Sequence, residues 1–259
     1  MKLTLSGKRG DVLTFVVQGT TPAFANALRR IMISEVPTLA IDSVEFHENN
    51  SMIFDEMVAH RLGLIPLTFP PEKLNFKSAC KCGGKGCPLC EVVFALEKTG
   101  PCTVYSGDMK SSNKEVKPVS PDFPLVELLK GQSIKFEATA IMGTGKQHAK
   151  WQAANASYQY YPEIVIKNQA DAKKCLKNCP KDLIDTKGAK VVITDPEKCD
   201  ICLACVEGCE GVEVKADPSK LIFRVESISG LKPDYIVTKA GEILEEKAEE
   251  FRKELKKLD

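Results

Sequence analysis

The chain has 259 residues, a formal net charge of +1, 43% hydrophobic and 27% charged residues, and 11 cysteines. This is enough apolar material for a sizeable core and an expectation of about two domains, and it excludes disordered and collagen-like classes. The near-zero charge argues against a stand-alone nucleic-acid binder, which ordinarily carries a basic excess to displace phosphate counterions, but not against membership of a larger nucleic-acid machine.

The first residues, MKLTLSGKRGD, hold no apolar stretch and no cleavage-like site, so a secretory signal is not expected. No run of about 18 apolar residues follows, so a membrane span is not expected either. The expected compartment is a reducing cytoplasm, where cysteine clusters more often bind metal than form disulfides. Residues 2–17 read as two strands, with Leu3 and Leu5 alternating, then Val12, Leu13, Phe15, Val16 and Val17, and the turn GKRGD between them. A helix follows, with Thr21 as N-cap, Pro22 at the first helical position, Phe24, Ala27, Leu28 and Ile31 at helical spacing, and Pro37 as the stop. Ala40 to Phe46 reads as a strand and Asp55 to Leu62 as a short helix ending at Gly63. Residues 70–90 are rich in Pro, Gly and Cys, and 91–164 read as strands and loops around Trp151, the single tryptophan. Residues 165–218 hold six of the cysteines and read as a separate module.

Leu221, Phe223 and Val225 alternate as a strand, and Pro233 opens a long helix expected to reach Leu258. Along it Val237, Ala240, Leu244, Ala248, Phe251, Leu255 and Leu258 step by three or four residues. That seam packs on its own domain or on a partner.

The run Cys199-Asp-Ile-Cys202-Leu-Ala-Cys205-Val-Glu-Gly-Cys209 has the C-x2-C-x2-C-x3-C spacing of bacterial ferredoxins. Three such thiolates hold three corners of a cubane, and the fourth ligand comes from the last cysteine, followed by proline, of a second motif. Cys175-Leu-Lys-Asn-Cys179-Pro180 matches the end of that second motif, but its earlier ligand positions are occupied by Ala172 and Gln169. One complete site therefore takes Cys179, Cys199, Cys202 and Cys205, while Cys175 and Cys209 are left as the relic of another. They are expected to be neighbours, and bonded if their Cα atoms lie within about 7 Å. The alternative occupant is zinc, although four-cysteine zinc sites usually come as two spaced pairs. Oxidative loss of one iron from a 4Fe–4S cluster would give a 3Fe–4S form.

A second group, Cys80-Lys-Cys82-Gly-Gly-Lys-Gly-Cys87-Pro-Leu-Cys90, puts four thiols within eleven residues, with glycines that let the backbone wrap an ion. One tetrahedral zinc is the expected occupant, against a vacant or oxidised loop. Cys102 is left as a small core residue.

Residues 23–68, AFANALRRIMISEVPTLAIDSVEFHENNSMIFDEMVAHRLGLIPLT, carry the NALRR, EVPT-AID and DE-x-x-AHRLGLIPL blocks. These resemble the alpha-type assembly subunit of multisubunit RNA polymerases in its archaeal and eukaryotic branch. The GKQHAKWQAA stretch and the closing RVESISGLKPDYIVTKAGEILEEK resemble the same family. The ferredoxin-like insertion is similar to one carried by several archaeal members of that family, and the 80–90 loop to the zinc loop of the eukaryotic third subunit. The resemblance implies an α+β fold in three parts: a discontinuous dimerisation domain (1–40 and 219–259), a mostly-β insert domain (41–164) and a 4Fe–4S ferredoxin-like module (165–218). It implies an assembly role: pairing with the smaller subunit L through helices bearing Leu244, Phe251 and Leu255, docking of the large catalytic subunits on the surface of Asn26, Arg29 and Arg30, and addition of small subunits N and P. DNA and RNA are met only through the complex, and no membrane is involved.

No catalytic residues are expected. There is no phosphate-binding G-x-x-x-x-G-K-[ST] motif and no tight aspartate cluster for magnesium. Gly143-Thr-Gly-Lys146 reads as a strand-connecting turn, and His60 and His148 as buried or interface histidines. The rival reading, a ferredoxin-type electron carrier fused to a larger domain, explains residues 165–218 alone.

Overall fold

The protein's structure, a computed structural model, describes residues 1–174, 176–188 and 190–258. Strands and helices mix along the chain in the expected α+β manner. The first two strands, β1 (Lys2–Arg9) and β2 (Val12–Gln18), pair antiparallel with Arg9 opposite Val12 and a bulge between Leu5 and Gly7. The turn is shorter than the expected GKRGD. Gly7, Lys8 and Arg9 stay in the ladder, and only Gly10, at φ +57°, and Asp11 turn the chain. Helix α1 (Pro22–Ser34) starts as its sequence signals, with the Phe24 N–H donating to Thr21 Oγ1 at 3.3 Å. Ala25, Leu28, Ile31 and Met32 form its buried stripe.

After β3 (Thr38–Asn49), helix α2 (Asp55–Leu64) runs one residue past Gly63. Gly63 stays helical; the stop is set by Pro66, which holds Ile65 extended at φ −73°, ψ 119°. The following segment is built from short strands: β4 (Leu67–Thr68), β5 (Glu91–Thr99), β6 (Cys102–Tyr105), β7 (Lys110–Ser111), β8 (Lys117–Pro118) and β9 (Pro124–Leu128), then the long β10 (Ser133–Gly143). The main sheet has the order β3-β10-β5-β7, with two-stranded pairs β4-β8 and β6-β9. Along β10, Ile134, Phe136, Ala138 and Ala140 are buried while Lys135 and Glu137 face water. This is the alternation of an antiparallel sheet with one wet face. The buried Trp151 donates its indole N–H to the Ile141 carbonyl at 3.1 Å and lies where a side chain on Gly143 would have to be.

Next come β11 (Ala154–Ile166), a single helical turn α3 (Gln169–Ala172), the hairpin of β12 (Ile184–Lys187) and β13 (Lys190–Ile193), the 16-residue β14 (Val212–Ser227) and helix α4 (Pro233–Leu255). A second sheet has the order β1-β2-β14-β11. In its core the Phe15 and Phe223 rings stack with centroids 5.1 Å apart, and Tyr158 tilts onto Phe223 at 5.6 Å. Such contacts add about 0.5–1.5 kcal/mol beyond area burial.

The chain divides into two compact units, Met1–Arg29 with Ser157–Arg224, and Arg30–Ala156 with Val225–Asp259. The cysteine-rich segment is not separated from the first unit by a thin linker. β11 and β14 run into it without a break, so that Ile164, Ile166 and Val214 pack against a small core of Ala172, Ile184, Val191, Cys205 and Val212.

Candidate metal centres

The 80–90 loop lies in the second unit, directly ahead of β5. Cys80 and Cys90 are buried at its two feet, while Cys82 and Cys87 are half-buried. Gly83, Gly84 and Gly86 adopt φ values of +65°, +79° and +95°. These left-handed turns curl four thiols inward, and no side-chain-bearing residue adopts such a run cheaply. The four sulfurs all lie within 4.8 Å of one another. Cys80 and Cys87 are 3.6 Å apart, Cys82 and Cys90 3.6 Å, and Cys87 and Cys90 3.8 Å. Thiolates at the corners of a tetrahedron with zinc–sulfur bonds of 2.3 Å stand about 3.8 Å apart, so the donor set and its spacing fit one zinc ion. A cubane, whose thiolates sit on four different irons, needs more room. The electrostatics agree. Burial opposes ionisation of Cys82, but donation from Cys80, the Gly86 and Gly84 backbone and Cys90 draws it down to about 6. Burial pushes Cys90 up to about 12. One thiolate forms readily, and Cys87 and Cys90, whose thiols are held up, require a cation to join it.

The second group lies in the first unit. Cys179, Cys199, Cys202 and Cys205 line one small cavity together with Pro180, Lys181, Leu183, Asp200, Leu203 and Val214. Cys199 and Cys205 are buried, Cys179 is half-buried and Cys202 is exposed. The loop is wound by two non-glycine residues in the left-handed region, Ile201 at φ +58° and Leu203 at φ +63°. For a β-branched isoleucine this is an uncommon, costly conformation, of the kind retained where a site requires it. Backbone N–H groups aim at the sulfurs: Leu183 donates to Cys179 Sγ and Ile201 to Cys199 Sγ, each at 3.4 Å. Burial, and then the negative groups nearby, hold the Cys199 and Cys205 thiols up. A cationic metal core among them would reverse that. Four thiols around one cavity, with N–H donors on the sulfurs, fit an iron–sulfur cluster.

Of the expected relic pair, Cys175 lies outside the described residues. Cys209 is half-buried and disulfide-bonded, unlike the nine cysteines that are free among the described residues. The two positions where a second cluster would need ligands have become structural. Ala172 is fully buried in the module core, and Gln169 Oε1 accepts the Val191 N–H at 2.6 Å, pinning β13. Cys102 is half-buried on β6, its sulfur 3.7 Å from the Thr99 carbonyl.

Among the expected interface residues, Asn26 Oδ1 accepts two bonds from Arg29, at 3.2 Å and 2.9 Å, so the pair presents one preformed surface on α1. Arg30 is exposed. Helix α4 ends at Leu255, short of the expected Leu258. Its first half buries Pro233, Ile236 and Ala240, Leu244 is half-buried, and Phe251 and Leu255 are 66% and 47% exposed. Lys247 pairs with Glu35. His60 and His148 are both exposed, which removes the buried reading. They line a cavity with Asp42 and Lys150, themselves paired at 2.6 Å. Gly143 ends β10, and residues 144–147 turn after it. The reading from sequence missed Gln159, whose Nε2 donates to the Cys199 carbonyl at 3.1 Å, and Lys181, which pairs with Asp200 at 3.0 Å. No spacing signal marks either residue for such a role.

Residues 41–162 match the family model of the RNA polymerase Rpb3/RpoA insert domain, so this part of the chain is of that insert type. Relatives described as DNA-directed RNA polymerase subunit Rpo3 match nearly end to end. That of Methanosarcina acetivorans is 41% identical over 92% of this chain and 91% of its own length. That of Methanothermobacter thermautotrophicus is 40% identical over 96% and 97%, and that of Pyrococcus horikoshii 39% identical over 100% and 99%. The chain belongs to the Rpo3 family of DNA-directed RNA polymerase subunits. The electron-carrier alternative is set aside, because it accounts for nothing outside residues 165–218. Among the described residues no helix is long and apolar enough to cross a membrane.

Proposed function

We propose that this chain is a non-catalytic assembly platform of an archaeal DNA-dependent RNA polymerase in the cytoplasm. It pairs with subunit L, docks the large catalytic subunits and receives the small subunits N and P. The observation that carries this reading is the distal half of α4. Phe251 and Leu255 continue the seam begun by Ile236 and Ala240, yet stand largely in solvent. An exposed apolar stripe that continues a buried one marks a surface that a partner covers. On this reading residues 1–40 and 219–259 act as the dimerisation domain, 41–164 as the insert and 165–218 as the ferredoxin-like module. Asn26, Arg29 and Arg30 form the docking surface for the large subunits. Co-expression with subunit L tests the reading: a stable one-to-one complex is expected, and a chain that stays monomeric beside L overturns it.

The same proposal assigns one zinc ion to Cys80, Cys82, Cys87 and Cys90, supported by the tetrahedral sulfur spacing. It assigns one 4Fe–4S cluster, or its 3Fe–4S product, to Cys179, Cys199, Cys202 and Cys205, supported by the shared cavity. Each metal group would cross-link loop segments that have little apolar core of their own. A Cys175–Cys209 disulfide completes the module, supported by the bonded Cys209. Iron, sulfide and zinc analysis of anaerobically purified protein is the test. About four iron and four sulfide, or three iron and four sulfide for the oxidised form, with one zinc per chain, are expected. Two zinc ions and no iron would overturn the cluster assignment.

A further inference from the structure

Gln159 belongs to neither cysteine group but touches one of them. It is half-buried on β11. Strand alternation sets Tyr158 on the face that meets Phe223, and Gln159 on the opposite one. From that opposite face Gln159 Nε2 donates a 3.1 Å hydrogen bond to the backbone carbonyl of Cys199, the first thiol of the cluster run. The bond falls two residues ahead of Ile201, where the chain turns left-handed. A second bridge grips the same loop from the other side. Lys181, two residues after Cys179, donates to the Lys198 carbonyl at 2.9 Å and pairs with Asp200 at 3.0 Å. The segment from Lys198 to Asp200 is thus held between the strand that carries Gln159 and the segment that carries the fourth thiol.

We infer that Gln159 is a positioning residue coupling the metal loading of the Cys179, Cys199, Cys202 and Cys205 site to the order of strand β11. The inference rests on the iron–sulfur reading above. With a metal group bound, the thiolates fix the loop and hold the Cys199 carbonyl against Gln159. Without one, only the Lys181 bonds oppose the left-handed strain at Ile201 and Leu203, the loop loosens, and the amide loses a fixed acceptor. Further along β11, Ile164 and Ile166 pack in the module core, so apolar contacts hold that end in either state. The effect therefore concentrates near residues 157–161, in a strand shared with the sheet of β1, β2 and β14. In this way the state of the cysteine site reaches the body of the subunit.

Amide hydrogen exchange of the full chain, iron-loaded and chelator-stripped, tests this with two variants. Gln159→Glu keeps the shape and removes the donor at neutral pH; Gln159→Lys changes the shape and keeps a donor. In the wild type, amides of residues 157–161 are expected to exchange up to about tenfold faster after stripping, the worth of one neutral hydrogen bond. Loaded Gln159→Glu should exchange like the stripped wild type while its iron content and visible absorption stay unchanged, and Gln159→Lys should restore protection. Equal exchange in loaded and stripped wild type, or full protection in loaded Gln159→Glu, overturns the coupling and leaves the cluster assignment intact. A wild-type protein that takes up no iron under reconstitution overturns the cluster reading, and this inference with it.

Discussion

The Glu91 carboxylate occupies the space that a β-carbon on Gly86 would need. Glu91 follows Cys90, the most deeply buried thiol of the zinc-type loop, and its other partner is Lys77 at 3.2 Å. Gly86 itself sits at φ +95°, one residue ahead of Cys87. A methyl group there has two costs: the backbone strain of a left-handed alanine, about 1–3 kcal/mol, and displacement of Glu91 from Lys77, a surface contact worth about 0–1 kcal/mol. If the loop holds the proposed zinc, Gly86→Ala is expected to weaken its binding by about ten- to a hundredfold, read by competition with a chromophoric chelator. Wild-type affinity in this variant would mean that the loop does not depend on the left-handed turn.

Asp108 offers a pH-dependent contribution away from both cysteine groups. Lys98 donates to it at 2.7 Å and the Tyr105 N–H at 2.9 Å, and these bonds hold its carboxyl below the usual aspartate value. A depressed folded-state pKa means stability that is complete above the unfolded value of about 3.9 and is lost as pH falls through the lower folded value. Asp108→Asn should therefore cost about 0.5–1.5 kcal/mol at pH 7. The gap between variant and wild type should narrow below about pH 4. Urea midpoints at pH 7 and pH 3 give the comparison; a gap that widens on acidification contradicts the assignment.

Legibility followed the range of the interaction. The N-cap at Thr21 was readable because capping is local, but the stripe of α1 was only half read: Leu28 and Ile31 are buried as expected, while Phe24 is exposed and Ala25 and Met32 complete the buried face. The two cysteine groups were readable as groups because their close spacing along the chain brings the thiols of each together. The end of α2 was misread at Gly63 because a glycine is only permissive, while Pro66 acts on the residue before it. The division into units was not readable at all. It depends on two strands far apart in sequence, β11 and β14, running through the boundary drawn from composition. Gln159 and Lys181 escaped for the same reason: their partners are 40 and 19 residues away, at Cys199 and Asp200.

Gln169 stands where a second cluster would need a thiolate and instead accepts the Val191 N–H at 2.6 Å. Val191 is buried in the module core beside Ala172. Gln169→Leu leaves that N–H without its acceptor, at a cost of about 1–3 kcal/mol. The variant should lower the module's resistance to thermolysin while leaving the iron content unchanged, since residue 169 touches none of the four proposed ligands. Loss of iron together with stability would show that the hairpin and the ligand loop fold as one piece.

Phe251 and Leu255 separate folding from assembly. Both lie on the exposed half of α4, past the buried Ile236 and Ala240, so truncating them removes little that the chain itself packs against. Phe251→Ala with Leu255→Ala should shift the thermal midpoint of the isolated subunit by no more than a surface change does, about 0.5 kcal/mol. If the seam is covered by subunit L, the same pair forms the anchor of the interface. Anchors of this kind cost about 2–4 kcal/mol when truncated, so affinity for L should fall by about thirty- to a thousandfold. Ile236→Ala is the reverse control: a buried truncation costing about 2–5 kcal/mol of the subunit's own stability. Titration calorimetry against L, beside a melt of each variant alone, gives both numbers. Unchanged affinity in the double variant would place the dimer contact off the distal half of α4.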